Sequence, residues 1–162
     1  MPTSFQWPLA LALHQLGTLI WIGGMIFAHF VLRPAANDSL VSLYRQPLML
    51  AVFDRFFRLV WVAIAFIWLS GLWIFLVLMP GLAGWHVHAM MTVALVMTLV
   101  FFYLWSRPYR DFAKAVEHLD WPEATRHLAL IRRLISLNLG LGLISALLGS
   151  AGATLVSALT SL

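Results

Sequence analysis

The stretch LALALHQLGTLIWIGGMIFAHFVL, residues 9–32, decides the fold. It holds no Asp, Glu, Lys or Arg. Its apolar residues run on without the period-2 alternation of a barrel strand. It also exceeds the ~20 residues that a helix needs to cross a bilayer. In hydrocarbon each peptide group must find its partner within the segment, so a run like this folds as a helix. Two imidazoles, His14 and His29, interrupt it. No Lys or Arg precedes it, and it is longer than the apolar core of a signal peptide, so it is expected to remain as a first membrane helix.

Three further apolar blocks follow, at 59–79, 86–105 and 134–159. The 162 residues are 62% hydrophobic and 10% charged, against roughly 25% charged in a soluble domain. The expected fold is all-α: an integral membrane four-helix bundle forming one domain, 1–162. Eight tryptophans and three tyrosines, many near block ends, suit the membrane interface. The chain has no cysteine, which excludes disulfides, zinc–thiolate sites and iron–sulfur clusters.

All ten basic residues fall in two places. Arg33, Arg45, Arg55 and Arg58 surround the first long loop, and Arg107, Arg110, Lys114, Arg126, Arg132 and Arg133 the second. The positive-inside rule then puts both long loops in the cytoplasm and both termini outside (N-out/C-out), in a bacterial-type inner membrane. The net charge of +4 is therefore an orientation signal, aided by anionic lipid, and not a nucleic-acid footprint.

Asp120-Trp121-Pro122-Glu123 has the form of a helix start, so the fourth helix is expected to begin before the membrane and run through Arg132 and Arg133. Residues 109–119 are expected to continue the third helix past it. Small residues on the fourth helix, Gly142, Ala146, Ser150, Gly149 and Ala153, form a close-packing face. That face serves the inside of the bundle, a second copy (a homodimer) or a larger membrane complex.

The candidate site is GWHVHAMM, residues 84–91, together with His14. Helices one and three both enter from the outer side, so His14 and His88 fall at similar depth. Ionisable groups inside a membrane segment point to function by default, and neutral imidazole ligates iron, copper or zinc. His86 lies roughly 200° around the helix from His88 and is expected to face the interface. Around the pair, Gly17, Gly24, Trp21 and Thr92 are candidate pocket lining for a flat cofactor, and Ser70–Gly71 narrows helix two. His29 lies ~22 Å deeper than His14 and is a candidate proton relay or propionate partner. His118 and His127 read as solvent-facing. An alternative donor set is soft: His86, His88, Met90 and Met79 would suit Cu(I).

Four strings carry a resemblance. LHQLGTLIWIGGMIFAHFVLRPA (Leu13–Ala35), FDRFFRLVW (Phe53–Trp61), HAMM (His88–Met91) and IRRLISLNLGLGL (Ile131–Leu143) resemble, in order, the four helices of CopD-like membrane proteins. The same core is similar to the HemJ-like proteins, which bind haem b and oxidise protoporphyrinogen. The resemblance implies the scaffold, a haem b held by one or two histidines with His14 matching the first-helix ligand, and a role in electron transfer or as an oxidoreductase. Met90 stands near a lysine of the HemJ-like signature, so protoporphyrinogen oxidation itself is not implied. Haem propionates at the outer face would rely on Ser4, Gln6, Gln15, Trp85 or His86, since no Lys or Arg is there. The CopD name implies the alternative, copper binding or import. A third reading is a structural or assembly subunit with satisfied histidines.

Overall fold

In the computed structural model, which describes residues 5–79 and 84–160 (side chains through 150), four helices are long and apolar enough to cross a membrane. They are α1 (Gln6–Ser39), α2 (Ser42–Leu78), α3 (Trp85–Ser106) and α5 (Trp121–Thr160), with a short α4 (Pro108–Glu117) between the last two. No strand occurs among the described residues. The outward faces carry large apolar residues such as Leu19, Phe30, Leu69 and Leu147, each more than 60% exposed. In water such a surface would drive aggregation; in lipid it is the solvated face.

The helices are arranged α1–α2–α3–α5 around the bundle. α1 lies along α2, and α3 and α4 lie along α5. The core is concentrated at the arginine-rich end. There Phe57 stacks on Phe53 at 5.4 Å and meets Phe101 and Tyr109 edge-on at 5.4 and 5.1 Å. Val60, Ala63, Phe112, Ala124 and Ile131 are fully enclosed around this aromatic cluster. The fully buried Gln46 ties α2 to the start of α5, donating to Thr125 Oγ1 at 2.8 Å and to the Trp121 carbonyl at 3.3 Å. At the opposite end few side chains are buried, Ala10 and Ser70 among them.

α2 begins well before the expected residue 59. Its added turns bury Gln46, Met49, Phe53 and Phe57 at three- and four-residue intervals, an amphipathic stripe that a search for uniform hydropathy passes over. α5 starts at Trp121 as expected, with Asp120 Oδ1 accepting from the Glu123 N–H at 3.1 Å. Helix three does not simply continue. Arg107 leaves the helical region (φ −124°, ψ −77°) because Pro108 crowds the residue before it, and α4 restarts from that proline. α1 and α2 also contain wide turns with i→i+5 bonding at Leu19–Gly23, Ala28–Leu32 and Ile74–Leu78, a geometry common near functional positions.

α4 ends in a Schellman-type closure. The Asp120 N–H donates to the Ala115 carbonyl at 2.9 Å, and the Leu119 N–H to Val116 at 3.1 Å. Leu119 occupies the left-handed position (φ 58°) that glycine normally fills. Leu119 is 66% exposed and contributes little burial. Leu119→Gly is therefore expected to stabilise the protein by about 1 kcal/mol. A thermal melt in detergent that falls instead would show that the leucine side chain is needed.

Candidate metal site at the histidine end

His14 lies on α1 against α2, in the notch left by Gly71. A Cβ at Gly71 would come within 3.2 Å of the His14 ring. His14 Nδ1 is 3.2 Å from Ser70 Oγ, whose single proton is directed at the Phe66 carbonyl. In the tautomer where Ser70 accepts from Nδ1–H, the lone pair of His14 is left on Nε2. His88, on α3, also meets α2: its ring is edge-on to Phe75, 5.5 Å between centroids. The two imidazoles thus reach consecutive turns of one helix from different sides. Deeper in, Trp21 is 3% exposed and its edge meets Phe101 at 6.1 Å, joining α1 to α3.

The glycines of α1 are used for helix contact. A Cβ at Gly17 would stand 2.8 Å from the Ala63 carbonyl and 2.9 Å from Ile67, and at Gly24 it would overlap the Phe56 ring. The space beside both belongs to α2. Thr92 is exposed, and its hydroxyl donates to its own helix at the His88 carbonyl, 2.9 Å away. Gln15 is likewise exposed. Ser4 lies outside the described residues.

His86 and His88 differ from expectation. His88 is the exposed one of the pair, and His86 is half-buried, folded back against Gly84. His86 Nδ1 is buried and has no hydrogen-bond partner among the described residues. Four residues on, and so on the same face, Met90 rests on α5, with Cε 3.1 Å and Sδ 3.5 Å from where a Gly149 Cβ would be. The i, i+4 relation of His86 to Met90 is written in the sequence and outranks the nearness of Met90 to His88. Met79 is half-buried just past the last wide turn of α2, its N–H held by the Ile74 carbonyl at 2.9 Å. Gly142 packs on Ile22 and Met97 inside the bundle, whereas Ala146 and Ser150 are exposed; the side chain of Ala153 lies outside the described part.

His29 stands at the other end of the bundle, its Nδ1 3.3 Å from Ser136 Oγ on α5. His118 is exposed, and His127 pairs with Glu123 at 3.1 Å. Among the described residues, no three of His, Cys, Asp and Glu gather as a metal cage. Methionine sulfur, from Met79 and Met90, is the other soft donor at the histidine end.

Residues 50–153 match the family model of copper resistance protein D, CopD. The chain belongs to the CopD family. It is thus a multi-pass membrane protein of the copper-resistance type. No curated protein and no solved structure matches it. The CopD match covers α3 and most of α2 and α5, and so takes in Met79, His86, His88 and Met90; it leaves His14, Gly17, Trp21, Gly24 and His29 outside.

Proposed function

We propose that this CopD-family protein binds Cu(I) as cargo at the histidine end of the bundle and passes it into or across the membrane. The observation that carries this reading is the buried His86 Nδ1, without a partner among the described residues, on the same helical face as the Met90 thioether. An imidazole nitrogen and a thioether are soft, neutral donors that favour Cu(I) over hard cations, which want carboxylate oxygen. Neither donor has to lose a proton, so the site carries no more than the single charge of the ion. His88 and Met79 are the further donors within reach of the same end, and His14 and His29 mark later steps along α1. The arginine-rich loops are cytoplasmic in this scheme, so the metal enters from outside the inner membrane. The test is a Cu(I) titration of the purified protein under reducing conditions, with metal analysis of the same sample. One tightly held copper per chain supports the reading; a protein that binds neither copper nor haem is a scaffold or assembly subunit.

A second reading has its own support. With Nδ1–H donated to Ser70, His14 keeps Nε2 as the free lone pair, and a hydrogen bond to the other ring nitrogen commonly orients a histidine ligand. His14 and His88 would then be axial ligands of a haem b used in electron transfer, with Trp21 as an aromatic wall. The filled space beside Gly17 and Gly24 weighs against it. On this reading a reduced-minus-oxidised spectrum shows a sharp b-type band, and His14→Ala abolishes or converts it. A flat spectrum from protein supplied with haem ends the haem assignment and leaves the copper one standing.

A further inference from the structure

The arginine-rich end contains a cleft that the copper reading does not use. Each of three helices contributes one arginine to it: Arg33 from α1, Arg45 from α2 and Arg132 from α5. The cleft is narrow, with a cavity volume of about 30 Å³, and partly open to solvent, and His29 and Asn37 lie on its wall. A second cleft alongside shares Arg33 and Arg132 and adds Arg133 and Ser136. No Asp or Glu lines either one. Elsewhere two arginines have carboxylate partners: Arg58 with Asp54 at 2.7 Å and Arg126 with Glu123 at 3.1 Å. Arg45 spends one terminal nitrogen on Ser42 Oγ at 3.1 Å, while its Nε is buried with no partner among the described residues. Like charges held together without a counter-ion repel, and in a poorly solvated site the repulsion is strong. Such a cluster is stable when an anion completes it.

We propose that these clefts bind the phosphate of an anionic phospholipid headgroup. Guanidinium groups match phosphate oxygens with paired N–H donors. With its hydroxyl proton directed to the Arg132 carbonyl, Ser136 accepts from His29 Nδ1–H. The His29 ring is thereby held at the cleft wall. Two features favour a lipid over a soluble phosphate. The floor is apolar, made by Met49, Phe53, Leu128 and Ile135. The cleft also lies where the uncharged stretches of α1 and α5 begin, next to Arg33 and Arg133, which is the depth of headgroup phosphates.

The test uses the full chain in mild detergent and native mass spectrometry with added phosphatidylglycerol, phosphatidylcholine or inorganic phosphate. The wild-type protein is expected to prefer phosphatidylglycerol over phosphatidylcholine by about tenfold or more. Arg33→Gln/Arg132→Gln should remove that preference, and the charge-matched exposed pair Arg55→Gln/Arg107→Gln should keep it. Equal loss in both pairs would mean a diffuse surface effect and overturn the site. Displacement of the lipid by inorganic phosphate would assign the cleft to a soluble anion and overturn the lipid. Folding is followed by melting without lipid, where relief of repulsion should leave the Gln variant at least as stable as wild type. A clearly lower melting point there would make the arginines structural and overturn the proposal. Arg45→Gln alone gives the same reading should the double variant fail to fold.

Discussion

Replacing His86 by Ala is expected to lower Cu(I) affinity by on the order of a hundredfold. Loss of a supporting contact to a metal ligand typically costs ~10–100-fold, and loss of the ligand itself costs at least as much. Met90→Leu should lower affinity by roughly tenfold, because it keeps the apolar volume resting on Gly149 while removing the sulfur. That substitution separates ligation from packing: Leu preserves the helix contact, so a drop in binding at unchanged thermal stability is a chemical effect. His88→Ala and Met79→Leu should give smaller losses. His118→Ala, at an exposed position near the other end, should give none. Competition against a Cu(I) chelator under reducing conditions measures all five variants. If His86→Ala binds copper as wild type does, the site is elsewhere.

The second large effect concerns the glycines of α1. Gly17→Ala should destabilise the bundle by about 1–3 kcal/mol, and Gly17→Leu by more, because the neighbour at 2.8 Å is the Ala63 carbonyl and a backbone cannot step aside. Gly24→Ala should cost less. Its obstacle is the ring of the half-buried Phe56, which can turn toward lipid. Gly23→Ala should be neutral or stabilising by up to about 1 kcal/mol, since nothing lies within 4 Å and alanine is the better helix former. Reversible unfolding in mixed micelles ranks the three. If Gly23→Ala proved as harmful as Gly17→Ala, helix flexibility rather than close approach to α2 would explain the glycines.

In the sequence these three glycines look alike. Composition and apolar runs were enough to predict four membrane helices, because hydrocarbon leaves the backbone no other solution. The extra turns of α2 and the break at Arg107 were harder to read. The first rests on a stripe at helical spacing, the second on the local crowding of one proline. The histidines were legible as a group but not in their facing. A 200° step between His86 and His88 says that they diverge; which one turns inward depends on where α2 and α5 lie. The arginine cleft was invisible as a site. Its residues come from three helices far apart in the chain, and along the sequence they read as an insertion signal.

The three arginines at one level also act as an anchor. Pulling them into hydrocarbon is costly, and the membrane stretches of α1 and α5, residues 6–32 and 134–160, hold no Asp, Glu, Lys or Arg to resist sliding. The arginine end is therefore pinned to its interface, and a thicker or thinner bilayer must be accommodated at the other end. The depth at which His14, His86 and His88 sit would then follow membrane thickness. In a thick membrane the imidazoles are drawn under the surface, and in a thin one they are lifted toward water.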